Sequence, residues 1–410
     1  MKKTKEDRDT RIQEYLSQWT EEEVSQFQAD FLAWYDQHQR DLPWRRRQDP
    51  YAIWVSEIML QQTQVKTVIP YFNRFMSWFE EVSDLAEAPE EKLLKAWEGL
   101  GYYSRVRNMQ VAAKQIMTEF SGEMPTDIKD IQSLKGIGPY TSGAIASIAF
   151  NQPEPAVDGN VMRVFSRLFK ITEDISKPAT RHVFEGVVRQ VISQKDPSSF
   201  NQAIMDLGAS ICTPTKPVCE ACPLSAYCEA FKEGNMTDYP VKLGKVKTIP
   251  EYYIALVLID ENGKMCLTRR KKHGLLGNFW TFPLVSVSKE IYQEMQQQWV
   301  SEPKTYLEKE QGQLSFLNVA ETTTLFEEQL EQLGIEGQFK PWPIGEVTHV
   351  FSHRKWHLLM AQGTMLSNQV LDVEEETQWV HPKEFSTYAF PKPQQKMLEV
   401  LTKNKIISNG

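Results

Sequence analysis

The sequence predicts a chain in two parts, an all-helical part followed by an α+β part. Three observations predict it. From Glu21 onward apolar residues recur near helical spacing through most of the first 230 positions. Between Glu233 and Pro250 that periodicity stops in a basic stretch punctuated by Pro and Gly, which reads as an interdomain linker. Beyond it Tyr252 to Ile259 is β-rich, Asn262-Gly263 is a hairpin turn, and Met265 to Arg269 returns. The expected division is a helical domain over 21–235, a linker over 236–250 and an α+β domain over 251–405.

Composition sets the outer bounds. The chain has 410 residues, 41% hydrophobic and 24% charged, as ordinary soluble proteins do. No apolar run approaches the ~20 residues that span a bilayer. The first residues carry charge of both signs and no apolar core, so they are not a secretory signal. The net charge of −8 speaks weakly against nucleic acid, but a footprint is a local patch and one basic groove suffices. Of five cysteines, four cluster, which points to a metal in a reducing compartment and so to a cytoplasmic protein.

Residues 1–20 are polar and are expected to fray. From Glu21 a helix follows, with Val24, Phe27, Phe31, Leu32, Trp34 and Tyr35 near helical spacing. Asp41-Leu42-Pro43-Trp44-Arg45-Arg46-Arg47 breaks it. Three arginines beside a tryptophan can hold phosphates or stack a base, or form a solvated loop. Pro50 opens the next helix. Glu57 lies inside it, and three of its four helical neighbours (Ile53, Trp54, Leu60 and Gln61) are apolar. A glutamate on such a face is paired with a cation or kept partly protonated by desolvation. Gln61, Gln62 and Thr63 give the helix a polar end. Asp84 to Gln115 reads as two helices around Gly99-Leu100-Gly101-Tyr102-Tyr103-Ser104-Arg105, a turn whose aromatics and arginines suit a base wedge with phosphate contacts.

Leu134 to Arg163 is the most informative stretch. Gly136-Ile137-Gly138 makes a tight turn, and Pro139 fits the first turn of a new helix rich in small residues. A helix N-terminus behind a glycine turn offers N–H groups to a phosphate. Asp158 stands at the start of a further helix, where the dipole favours its ionised form; alone it is an N-cap. Residues 177–211 read as two more helices. Cys212, Cys219, Cys222 and Cys228 follow, with six, two and five residues between them, and zinc or an iron–sulfur cluster can take four such thiolates. In the second part a helix near 288–299 and another near Gln394 to Thr402 complete the α+β domain, and Cys266 is a buried strand thiol.

These motifs resemble a known family. LKGIGPYTSGAI resembles the helix-hairpin-helix of the endonuclease III superfamily of DNA glycosylases, and AVDGNVMRVFSR resembles the segment that carries its essential aspartate. Tyr140 stands where strand-cleaving members carry a lysine, as it does in the MutY-type adenine DNA glycosylases. The resemblance extends to LPWR, the QQT turn, GLGYYSR and the 6-2-5 cysteine spacing of a 4Fe–4S loop. It implies an all-helical helix-hairpin-helix glycosylase domain, two lobes with the DNA groove between them, and a Nudix-like domain behind. Glu57 is then the general acid, Asp158 the stabiliser of an oxocarbenium sugar, and Tyr140 and Asn160 its orienting neighbours. Gln202, Trp44 and Arg45 belong to the adenine pocket. Gln62, Thr63, Tyr102, Gly136, Gly138 and Lys216 contact the DNA stack and backbone. GLLGNFWTFP resembles the strand before a Nudix box, but no acidic helix follows in Ser288 to Glu294, so diphosphate hydrolysis is not expected. Phe351, Ser352 and His353 suit recognition of a partner base, by resemblance 8-oxoguanine. The expected partner is double-stranded DNA with A:8-oxoguanine or A:G mispairs, met by a monomeric bacterial protein held at the nucleoid by its DNA. Two alternatives stay open: a bifunctional endonuclease III-type glycosylase/lyase on oxidised pyrimidines, and a non-enzymatic Fe–S DNA-binding module.

Overall fold

A computed structural model describes residues 5–17, 19–47, 49–244, 248–272, 274–301, 338–340, 343–365 and 376–408. By its contacts the chain divides into two units, residues 1–89 with 104–245, and residues 90–103 with 246–410. The grouping differs from the expected division at two places. The first twenty residues go with the helical unit, and 90–103, drawn from the middle of the helical sequence, go with the sheet.

The first unit is helical. Helix α1 (Lys5–Leu16) does not fray as expected. Its Tyr15 hydroxyl donates to Glu173 Oε2 at 2.6 Å, and Ile12 seats over Gly186, where an added Cβ would lie 2.2 Å from its Cδ1. Helix α2 (Glu21–His38) starts at a capping box in which Thr20 and Glu23 satisfy each other's backbone N–H. Its apolar stripe, Phe27, Phe31 and Tyr35, packs on α10 (Gly159–Leu168), α11 (Arg181–Val191) and α12 (Pro197–Ser210) through Phe165, Phe184 and Phe200. Helix α3 (Pro50–Leu60) is capped by Asp49 and buried nearly all round. Arg105 closes its other end: Nη1 donates to the carbonyls of Ile58 and Gln61, both at 2.7 Å. That arginine, expected to meet phosphate, is a helix cap here. Against α3 pack α4 (Val65–Trp78) and α9 (Pro139–Phe150); α8 (Ile128–Ser133) packs on α9, and α5 (Val82–Glu87) on α7 (Ser104–Glu119). Gly143 lets α9 lie against the loop that leads to Asp158, since a Cβ there would meet the Pro155 carbonyl oxygen at 2.1 Å. A one-turn helix, α13 (Glu229–Lys232), follows the cysteines.

The second unit is built on one mixed sheet. Strand β1 (Ile249–Ile259) is its spine, paired in parallel with β7 (Arg354–Thr364) from Ile249↔Arg354 to Ile259↔Thr364. Strands β2 (Met265–Arg269), β3 (Trp280–Thr281), β4 (Leu284–Val287), β5 (Gln338–Phe339), β6 (Gly345–Val350) and β8 (Glu376–Val380) add by antiparallel pairing. Helices α14 (Lys289–Ser301) and α15 (Lys392–Lys403) lie close to the two expected spans. Cys266 is fully buried in β2, as a strand thiol. Helix α6 (Glu90–Ala96) and the turn behind it join this unit by long-range bonds: Lys95 Nζ donates to the Tyr388 carbonyl at 2.8 Å, and Glu98 Oε1 accepts from the Phe390 N–H at 2.8 Å.

Candidate active site

The helical unit places its chemistry around one cavity of about 140 Å³. Trp44, Arg45, Glu57, Thr63, Tyr140, Asp158, Asn160 and Gln202 all line it, so residues from five separate stretches of sequence converge.

Glu57 points inward from α3 and is only 4% exposed. The Tyr140 hydroxyl, in the first turn of α9, donates to Glu57 Oε2 at 2.5 Å. Burial pushes the Glu57 carboxyl up to about 7, against the Tyr140 hydrogen bond and Arg45, which lower it, and with Asp158, which adds to the rise. A proton is thus held near neutral pH. Burial pushes the Tyr140 phenol well above its usual range. Asp158 caps α10: Oδ1 accepts the Val161 N–H at 2.7 Å, and Oδ2 accepts from Asn160 Nδ2 at 2.8 Å.

Two expectations are corrected here. The Tyr140 hydroxyl serves Glu57, whereas Asn160 and the backbone hold Asp158. And Asp158 is raised, not merely held ionised: burial raises it and outweighs the N–H groups of Val161 and Asn160. The two carboxyls are therefore both shifted upward rather than pushed apart.

Around this centre the arginines sort differently from the reading of a phosphate-binding run. Arg45 is largely buried and forms a two-pronged ion pair with Asp206, Nη1 to Oδ2 at 2.7 Å and Nη2 to Oδ1 at 2.9 Å. Arg46 pairs with the exposed Asp41, and Arg47 faces solvent. Trp44 is buried against the edge of Phe72 at 5.4 Å. Gln202 Nε2 donates to Ser198 Oγ at 3.2 Å, and the residue lines the cavity. Arg40 and Asp206 are functional candidates that the sequence reading missed. A faint signal existed: Asp206 sits one turn after Gln202, on the same face of α12.

The expected DNA-contacting positions lie at turns. Gln62 has φ 57° and is exposed; Thr63 reaches back to the cavity. In the hairpin Gly136 takes the left-handed φ of 82°, and a Cβ there would also strike Asn108 at 2.7 Å. Gly138 instead caps α9 with extended backbone. Lys216 is exposed within the cysteine loop. In the second unit Tyr102 has φ 50° and is 45% exposed, with its hydroxyl 3.1 Å from Ser352 Oγ. Phe351, Ser352 and His353 form the turn between β6 and β7, closed by the Phe351 N–H to the Arg354 carbonyl at 2.7 Å, with the Phe351 ring 5.0 Å from Trp356.

The four clustered cysteines line a second, small cavity of about 30 Å³. No His, Cys, Asp or Glu group among the described residues is drawn in tightly enough to cage a single ion. The donor set is four thiols with no imidazole or carboxylate, which fits an iron–sulfur cluster. Burial pushes Cys222 and Cys228 up to about 12 and about 11, so thiolates at these two positions gain from positive charge nearby. Arg167, 2% exposed, supplies part of it: Nη1 lies 3.2 Å from Cys212 Sγ and also donates to the Thr213 carbonyl at 2.8 Å. One turn earlier, Arg163 donates to the Cys212 carbonyl at 2.8 Å and to Asn160 Oδ1 at 2.8 Å.

Comparison with known proteins agrees with this geometry. Residues 55–190 match the HhH-GPD superfamily of base excision DNA repair proteins, 212–228 the iron-sulfur binding domain of endonuclease III, and 254–400 the NUDIX domain. An adenine DNA glycosylase of Homo sapiens is 33% identical over 440 residues, covering 92% of this chain and 74% of the relative. The chain belongs to the MutY-type adenine DNA glycosylases. A member of this family from Buchnera aphidicola (Schizaphis graminum symbiont) is 37% identical over 63% of the chain and 74% of the relative. The Arabidopsis thaliana member is 38% identical over 66% of the chain, which spans 49% of that longer protein. As a member of the family the chain is a DNA glycosylase with a 4Fe–4S cluster, and the iron-sulfur match runs from Cys212 to Cys228. Membership removes the reading as a non-enzymatic module. No described helix is long and apolar enough to cross a membrane.

Proposed function

We propose that this glycosylase removes adenine mispaired with 8-oxoguanine, or with guanine, by hydrolysing its N-glycosidic bond without cutting the strand. The observation that carries the reading is a protonatable, buried Glu57 sharing one cavity with Asp158 and with the amide of Gln202. The adenine is flipped into the cavity at an unstacking cost of a few kcal/mol. The Gln202 carbonyl can accept from the N6 amine of the base, which leaves N7 open to protonation. Glu57 gives its proton to N7, the C1′–N9 electron pair leaves with the base, and the sugar becomes oxocarbenium-like. Asp158 as carboxylate stabilises that cation until water adds at C1′, the two-carboxylate logic of glycoside hydrolysis. With a phenol at Tyr140 there is no amine for a Schiff base, which disfavours the glycosylase/lyase alternative. The cluster, when bound, ties the cysteine loop together and supplies no step. The turn Phe351-Ser352-His353 would read the partner base, by stacking and by hydrogen bonds to its edge. The protein would act as a monomer on DNA in a bacterial cytoplasm.

The test is one duplex with A opposite 8-oxoguanine, incubated with excess enzyme and developed with and without alkali. Product that appears only after alkali supports the proposal. Strand cleavage without alkali, or no adenine release, refutes it. Glu57→Gln should lose ~10²–10⁴-fold in single-turnover rate, the usual worth of a positioned acid.

A further inference from the structure

One buried carboxylate beside the cavity has no part in the chemistry so far. Asp206 lies on α12, with its side chain 3% exposed, and receives two guanidinium groups at once. Its Oδ1 accepts from Arg40 Nε at 2.7 Å and from Arg45 Nη2 at 2.9 Å, and Oδ2 accepts from Arg45 Nη1 at 2.7 Å and from the Arg40 N–H at 3.2 Å. Every acceptor direction of the carboxylate is used. Burial works to raise Asp206, but the bonds from Arg45 and Arg40 win and hold it below the usual range. Both arginines line the cavity that contains Glu57, and Asp206 does not. Such a carboxylate fixes guanidinium direction in a way a lone arginine in solvent cannot.

We propose that Asp206 is a positioning residue of the active site: it locks Arg40 and Arg45 as a rigid pair of donors at the cavity wall and offsets the positive charge that Arg45 presents to Glu57. The proposal rests on Glu57 being the proton donor. Groups facing Glu57 come from three elements: Tyr140 from α9, Asp158 from the start of α10, and Arg45 from the turn before α3. Tyr140 and Arg45 draw its proton off, while burial and Asp158 retain it. Three bonds hold Arg45 in place, two to the Asp206 carboxylate and one to the Arg40 carbonyl, so loss of the Asp206 charge leaves a buried cation whose field falls on the remaining acid in the cavity. A purine in the cavity would meet fixed N–H donors suited to its ring nitrogens.

The experiment follows single-turnover rate against pH on the A:8-oxoguanine duplex for the holoprotein, Asp206→Asn, Asp206→Asn with Arg45→Met, and Asp206→Glu. Circular dichroism and the visible cluster band check that each is folded and loaded. In Asp206→Asn the high-pH limb should move down by about half to one pH unit, part of the ~1–3 units that a close opposite charge can impose. Adding Arg45→Met should carry the limb back to or above its wild-type position. Asp206→Glu keeps the charge, so its limb should stay while the plateau falls severalfold through misaligned guanidiniums. A folded Asp206→Asn protein with an unmoved limb overturns the proposal, as does a lowered limb that persists without Arg45. If Asp206→Asn does not fold, a displaced limb in Asp206→Glu overturns it, and an unmoved limb with a lowered plateau supports it. A wild-type protein with no adenine release, or with no high-pH limb, refutes the proposed function instead.

Discussion

Tyr140→Phe removes one oxygen and one hydrogen bond, and its effect can be worked out from the site. The hydroxyl donates to Glu57 Oε2 at 2.5 Å and so stabilises the ionised carboxylate. A hydrogen bond to a charged group contributes ~1.5–3 kcal/mol. At about 1.36 kcal/mol per pH unit this amounts to ~1–2 units of acidity. With Glu57 at about 7 in the intact site, the variant should hold its proton to pH ~8–9. The sign is definite: the lost bond favoured the anion, so the acid persists to higher pH and the falling limb of the rate profile moves up. The plateau should drop by less than ~10-fold, since the proton donor itself remains. Single-turnover rates across pH 5–10 on the mispaired duplex make the measurement. A limb that stays in place, or moves down, refutes the coupling of Tyr140 to Glu57.

Other outcomes follow from the same geometry. Tyr140→Lys should place an amine near C1′ and yield some strand cleavage through a Schiff base, seen as a borohydride-trapped covalent complex; no trapped species means the side chain does not reach the sugar. Ser352→Ala in the full chain should narrow the preference for 8-oxoguanine over guanine opposite adenine, and unchanged rate ratios would remove that turn from recognition. Gly143→Ala should destabilise the helical unit by ~1–3 kcal/mol, because a Cβ would stand 2.1 Å from the Pro155 carbonyl oxygen, and a thermal midpoint equal to wild type would contradict the close approach.

The elements legible in the sequence are those whose cause is local. Pro50, Pro139 and Asp158 each mark a helix start, because a cap or a first-turn proline acts within two or three residues. The stripe of Phe27, Phe31 and Tyr35 marks a buried face by period alone. Helix α1 was illegible as a docked element because only Ile12, Tyr15 and Leu16 pack against the core, and its fastening to Glu173 spans 158 positions. The Arg45–Asp206 pair was hidden for the same reason, its partners being 161 positions apart. Glu57 was readable as buried from its apolar neighbours. Which group would donate to its carboxylate was not, because Tyr140 reaches it across 83 positions.

The sheet also sets a timetable for the chain as it is made. Strand β1 must wait for β7, its parallel neighbour, whose first partner lies 105 positions later. Lys95 and Glu98 wait longer still, 293 and 292 positions, for Tyr388 and Phe390. At ~5–20 residues per second of synthesis, that is roughly a quarter of a minute to a minute. During that interval the stretch from Glu90 to Tyr103 has left the ribosome while the unit it belongs to is unfinished. Non-local closure of this kind is slow in itself. The cavity of the helical unit draws only on residues between Arg40 and Ala209, so all of its lining has been made before the sheet can close, and the second unit waits for Tyr388 and Phe390.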